Sequence, residues 1–579
     1  MPQPIAGKYD VLYKPDNSAH STMMGGLMRG VLLWSLALGV LVSGQEGGRP
    51  EVETRYGKLR GKTKSVKGTD RTVHAFYGVP FAKPPVGSLR FAAPEPPVAW
   101  TSTREASEYA PMCLQDPHFM EMLMEMFKVK FTLSSLSEDC LYLNVYTPAD
   151  RPKGEKLPVM VFIHGGGLMM GGAMILDGSA LVAYENVVVV SIQYRLGVLG
   201  FFSTGDDRAP GNYGFLDQVA ALRWVQENIA DFGGDPNSVT IFGESAGGVS
   251  VSSLVASPLA KGLFHRAISE SGVALMPALM AQSTEVVVFF RNIVANVSGC
   301  EVDTIEVCLK AKSEEELLSL VISMQFLALP PTVDGVFFPK PVEQILTDKE
   351  VNSVPFMTGV TNQEFGWILL VTLNVTEFQE GIKREKVEEL LRSLPLMSSF
   401  SSATSLLMDE YIGEETDPAE IRNSFLDLAG DLVFVIPALR TAKYHRDSGH
   451  PTYFYEFQHR PSIFKDSKPD FVKADHGDEL FFVMGGPFLE GDIVFSEAFN
   501  EKEKALSKTI MKYWANFART GNPNGPGLVN WPEYDHDEDY LGINLEPRAA
   551  KQLKAEKYEF WTKLLSQKKI EEKEERTEL

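Results

Sequence analysis

Residues 238–250 read SVTIFGESAGGVS. An apolar run with β-branched members leads into a serine set between two glycines, and small and apolar residues of helical character come after it. A serine at the tip of a sharp strand-to-helix turn holds a strained backbone and presents its hydroxyl. Only glycine at Gly243 and Gly247 lets the chain pass that closely. Ser245 is therefore a candidate nucleophile on an elbow. A G-x-S-x-G pattern arises by chance at roughly 0.3 per chain of this composition, so other residues must carry the decision.

Further apolar runs each lead into a glycine or polar turn: LPVMVFI at 157–163, VVVVSIQY at 187–194, HRAIS at 265–269, VPFMTGV at 354–360 and PTYFYEF at 451–457. Helical patterns lie between them, among them GFLDQVAALRWVQENIADFGG at 214–234, closed by a glycine pair. The alternation predicts an α/β fold, with buried strands in a largely parallel sheet and helices on both faces. Ligands of such sheets bind outside the carboxyl ends of the strands. The residues just past each strand are therefore the ones to inspect: HGGG after VMVFI, GESAGG after SVTIF, TNQEFG after VPFMTGV, and ADHGDEL beyond PTYFYEF.

His164-Gly165-Gly166-Gly167 supplies backbone amides with no side chain in the way, which is what a tetrahedral oxyanion requires; Ala246, after the serine, would add a further amide. The plainer reading of HGGG is a tight turn needed for packing. A serine nucleophile also needs a base, and the base an acid, in the chain order nucleophile, acid, base. Among the downstream histidines His445, His450, His459, His476 and His536, His476 is best placed, in a polar loop beyond a strong strand. His445 and His450 suit a helix end. Glu364 comes after a strand end between Ser245 and His476, but spacing alone does not separate it from Asp334. Asp475 and Asp478 are too near His476 in sequence to face its ring.

The chain has 579 residues, 44% hydrophobic and 23% charged, with no internal repeat and no long linker. One large α/β domain accounts for 45–561. A net charge of −21 argues against nucleic acid and anionic membrane surfaces as partners. Residues 28–44 have the form of a signal peptide, too short for a comfortable membrane span, and no other long apolar segment occurs. Residues 1–27 form an extension before it, so either translation begins at Met23, Met24 or Met28, or a longer form exists. Residues 562–579 read as a solvated, charged tail. It ends in RTEL, which resembles a retention signal of the endoplasmic reticulum, so retention in that lumen through its receptor is favoured over secretion. Asn296 and Asn374 head N-x-S/T sequons. Four cysteines allow three pairings, of which locality favours Cys113–Cys140 and Cys300–Cys308. No metal site is expected, since C-x-x-C and Cys/His clusters are missing.

Together HGGG, SEDCLYLNVYTP (137–148), QYRLGVLGFF (193–202), GNYGFLDQVAALRWVQENIADFGGDP (211–236), FGESAGG and YWANFARTGNPN (513–524) resemble the type-B carboxylesterase/lipase family, from about Glu51 to Trp561. PMCLQD, KADHGDEL and the terminal TEL are most similar to the mammalian carboxylesterase 2 group. The resemblance implies an α/β-hydrolase fold with helical insertions over the active site, and a triad of Ser245, Glu364 and His476. It also implies oxyanion donors at Gly166, Gly167 and Ala246, the cysteine pairing given above, and an ion pair of Arg90 with Glu138 that holds the first disulfide loop. The implied reaction is hydrolysis of small-molecule carboxylic esters without a cofactor; separately, a monomer is expected. Xenobiotic esters, acylglycerols and acylcarnitines are all candidate substrates. A cholinesterase would present a tryptophan between Cys113 and Cys140, where this chain has the Met-rich FMEMLMEMFKVKF. Hydrolase-like adhesion proteins such as neuroligins lack the intact triad found here.

Overall fold

A computed structural model describes residues 49–578, apart from 131, 153, 278, 281–282, 325–326, 373–374, 376–377, 395–396 and 496–497. The N-terminal extension, the signal-peptide segment, Asn374 and Leu579 lie outside the described residues.

Eleven strands form the central sheet: β1 (Lys62–Lys64), β2 (Val73–Pro80), β3 (Tyr142–Pro148), β4 (Leu157–Ile163), β5 (Val188–Ile192), β6 (Gly234–Glu244), β7 (Arg266–Glu270), β8 (Phe356–Thr361), β9 (Thr452–Phe457), β10 (Asp539–Ile543) and β11 (Arg548–Lys551). Their order across the sheet is β11-β10-β9-β8-β7-β6-β4-β5-β3-β2-β1. The run from β5 to β10 is parallel throughout, and both edges are antiparallel. This is the α/β-hydrolase architecture that the sequence leads one to expect.

The continuous apolar runs reflect burial on both faces, because successive side chains point to opposite sides. Val159, Val161 and Ile163 of β4 join one core with Val239 and Ile241, while Met160 and Phe162 join another with Phe242 and Ile268. The helices that matter here are α1 (Pro117–Met126), α2 (Ser179–Glu185), α3 (Tyr213–Asn228), α4 (Ala246–Ala256), α5 (Pro418–Gly430), α6 (Ile436–Asp447), α7 (Glu501–Thr520) and α8 (Ala555–Glu578). Helices α3 and α4 contribute Phe215, Val219, Leu222, Val251 and Leu254 to the first core; α2 and α7 contribute Leu181, Val182, Ile510, Met511 and Trp514 to the second.

Helix α8 carries the chain through Glu578; near its start Trp561 and Leu564 are buried, and Lys563 pairs with Glu559 at 2.7 Å. No helix of the described residues is long and apolar enough to cross a membrane.

Candidate active site

Strand β6 ends at Glu244 and α4 begins at Ala246, so Ser245 alone makes the turn, at φ 59° and ψ −125°. Such a backbone persists only where its surroundings hold it. The Ser245 amide donates to the Glu270 carbonyl at 2.9 Å, and its own carbonyl accepts from Val249 at 2.9 Å. A Cβ on Gly243 would lie 2.4 Å from the Ile163 carbonyl oxygen, and one on Gly247 only 2.1 Å from it. Both glycines are therefore required by the close approach of β4, which brings the two strand ends together. Ser245 itself is only partly buried.

That approach sets the glycine loop beside the serine, because HGGG starts where β4 stops. Gly166 and Gly167 adopt φ 100° and 62°, and the Gly166 carbonyl is turned back to accept from Met169 and Met170 at 3.0 and 3.1 Å. The amides of Gly166, Gly167 and Ala246 donate no hydrogen bond among the described residues. His164 is buried, stacked on Tyr194 at 4.4 Å, and burial lowers its pKa to about 4. It is thus neutral at physiological pH, and its Nδ1–H donates to the Gly165 carbonyl at 2.9 Å.

His476 and Glu364 meet across 2.7 Å, Nδ1 to Oε2, both buried. Their loops are stitched together: Gln363 donates to the Ala474 carbonyl at 3.1 Å, Ala474 to Asn362 Oδ1 at 3.1 Å, and Lys473 to Gln363 Oε1 at 2.7 Å. Asp475 accepts from the amides of Trp367 and Ile368 at 3.1 Å, and Asp478 is held by the buried Lys468 at 2.6 Å. These two acids therefore fix the loop and leave the ring to Glu364. Asp334 accepts three amides of its own turn, Val336, Phe337 and Phe338, within 3.1 Å. His445 lies in the last turn of α6, the helix end expected for it, and donates to the Val354 carbonyl at 2.8 Å.

Sequence reasoning passed over several neighbours. Phe434, from a π-helical turn at Asp431–Val435 between α5 and α6, packs its ring 4.5 Å from that of His476. Glu244, inside the elbow motif, brings Oε1 to 3.1 Å from His476 Nε2 without hydrogen-bonding alignment. Ser271 donates to Glu364 Oε1 at 2.7 Å and lies 3.1 Å from Glu479 Oε1. One hydroxyl proton cannot serve both acceptors, so a protonated Glu479 completes the chain. Burial, reinforced by Glu364 and Glu244, does raise Glu479 well above the ordinary carboxyl range. Burial also pushes Glu270 up to about 8 and, with Glu364 adding to it, Glu244 up to about 7. Burial opposes charging of His476, but Glu244, then Glu364 and Glu479, outweigh it and push the ring up to about 9.

Farther out, both cysteine pairs are closed, Cys113–Cys140 and Cys300–Cys308. Arg90 grips Glu138 through two bonds of 2.7 and 2.5 Å and caps the carbonyls of Leu309, Lys310 and Lys312 at 2.9 Å each. Gln115 joins the first disulfide loop to the segment after HGGG, exchanging two 2.8 Å bonds with Gly171. Asn296 is exposed on its helix. One acidic cluster among the described residues could share a cation, Asp535, Asp537 and Asp539, but it lies at the amino end of β10, away from Ser245, and is met by Lys551.

The sequence model of the carboxylesterase family matches residues 48–561. A liver carboxylesterase of Sus scrofa is 51% identical over 556 residues, covering 93% of this chain and 96% of the relative. A cocaine esterase of Homo sapiens is 50% identical over 560 residues (94% and 98%), and a medium-chain fatty acyl-CoA hydrolase precursor of Anas platyrhynchos is 51% identical over 550 residues (93% and 97%). The near-equal identities place the chain among these proteins without assigning it to any one of them. It belongs to the carboxylesterase family and is a carboxylic ester hydrolase.

Proposed function

We propose that Ser245 is the nucleophile, His476 the general base and Glu364 the acid that orients it. The observation that carries this reading is the 2.7 Å Glu364–His476 bond at the carboxyl edge of the sheet, its ring abutting the residue beside a strained serine. Glu364 fixes the tautomer with the proton on Nδ1, so Nε2 is free to take the Ser245 proton as its oxygen attacks the ester carbonyl. The amides of Gly166, Gly167 and Ala246 receive the oxyanion. His476 then gives its proton to the leaving alcohol, and water attacks the acyl-enzyme by the same route. Turnover of 4-nitrophenyl acetate by Ser245→Ala, His476→Gln and Glu364→Gln tests the assignment. The two former are expected to lose about 10⁴-fold or more in kcat and the last somewhat less. Near wild-type turnover in any of them contradicts its assigned role.

The chain's acidic charge and the apolar Met-rich segment favour neutral or cationic esters with apolar parts, including xenobiotic esters, acylglycerols and acylcarnitines. Further proposals are N-glycosylation at Asn296 and Asn374, action as a monomer, and a lumenal home in the endoplasmic reticulum. The last rests on 28–44 as a leader and RTEL as a receptor-read address. Removing Arg576–Leu579 is expected to move the protein from the cell into the medium. Unchanged retention in a secreting cell line would contradict the retention role.

A further inference from the structure

Five methionines fall in 112–126 and three in 169–174, of 21 in the whole chain. The structure joins the two segments. Met169 and Met170 pack with Phe119, Met120, Met122 and Leu123 of α1, so the strand of chain just after HGGG is walled by thioethers. Met120 and Met170 are 1% and 7% exposed, whereas Met169 is only half-buried and reaches solvent. The Met169 methyl lies 3.1 Å from where a Cβ on Gly167 would stand, and its backbone amide is tied to the Gly166 carbonyl at 3.0 Å. The sulfur is therefore held, one bond behind that methyl, beside Gly167, which like Gly166 has an amide without a partner among the described residues.

We propose that Met169 is a modification site, oxidised by hydroperoxides to the sulfoxide, and that the sulfoxide silences the glycine loop. The sulfur lone pair attacks one peroxide oxygen; the O–O bond breaks, an S–O bond forms, and the other oxygen leaves as the alcohol, or as water from hydrogen peroxide, after proton transfer. Sulfur gives up two electrons and the peroxide takes them. The product replaces a soft apolar group by a strong hydrogen-bond acceptor in apolar surroundings. The amides of Gly166 and Gly167 are unengaged donors in the same loop, and an oxygen of the same sign as the developing oxyanion there opposes it. This inference rests on the oxyanion role proposed for those two glycines.

The test treats the full protein, disulfides intact, with increasing hydrogen peroxide and maps each methionine by peptide mass spectrometry. The kcat on 4-nitrophenyl acetate is tracked in wild type, Met169→Leu and Met122→Leu, each scaled to its own untreated rate. Wild type and Met122→Leu are expected to lose about tenfold or more in proportion to Met169 sulfoxide, and Met169→Leu to keep its rate. Equal loss in Met169→Leu, or full conversion of Met169 with kcat unchanged, overturns the proposal. So does a Met169 that stays reduced while Met122 is converted. If the untreated wild type shows no turnover, the triad reading fails separately. Oxygen added at Met169 ahead of the buried Met120 and Met170 then still supports the modification site, and its absence overturns it.

Discussion

At the scale of the residue, the site is a matter of which groups are denied their ordinary partners. Ser245 holds a left-handed backbone because β4 and α4 leave no other path, and two glycines make room for it. His476 has one nitrogen committed to Glu364 and the other without a hydrogen bond among the described residues. In the proposed role the ring must be neutral to accept a proton from serine, so kcat/KM is expected to fall as pH drops through its pKa. Glu244 is the largest of the influences holding that pKa up, against burial, at about 9 in the free protein. Glu244→Gln removes that negative charge, which lowers the pKa and moves the acid limb of the profile to lower pH. Profiles of kcat/KM for the two proteins check this; an unmoved limb would show that Glu244 does not act on the base. The sequence exposed Ser245 and His476 through their loops. It left Glu364 level with Asp334 until family resemblance was added, because spacing does not reveal that Asp334 spends its oxygen on its own turn.

At the scale of the element, loops are joined by buried polar links rather than by length of strand. The Glu364 and His476 loops are cross-stitched through Gln363, Asn362 and Asp475, with Lys468 neutralising the acid side chains beside the histidine. Arg90 and Glu138 serve the first disulfide loop likewise, at 6% and 5% side-chain exposure. Removing one partner strands the other charge out of water, and such losses run at about 3–5 kcal/mol. Glu138→Ala is expected near the lower end, since three carbonyls still receive Arg90. Its rate of thermal inactivation should rise clearly above that of wild type. An unchanged rate would mean that the pair contributes little to holding the loop. The π-helical turn that sets Phe434 against His476 was not legible, because GDLVFVI carries no local signal for it and the contact is made across distant chain.

At the scale of the whole molecule, the parallel core was legible and the sheet edges were not. Strands such as LPVMVFI and VVVSI are buried on both faces and announce themselves as apolar runs. The edge strands KTK at 62–64 and RAAK at 548–551 carry polar residues and depend on their neighbours for pairing. The same topology explains the site, for β4, β6 and β8 all end at one edge, and beyond β9 the chain returns to it with His476. The most direct measurement is to mix the protein lacking residues 1–44 with an organophosphonate ester and map the adduct by mass spectrometry. Stoichiometric labelling at Ser245, lost in Ser245→Ala, is the predicted result. An unlabelled Ser245, or equal labelling of the Ser245→Ala protein, would contradict the claim that this serine is the nucleophile.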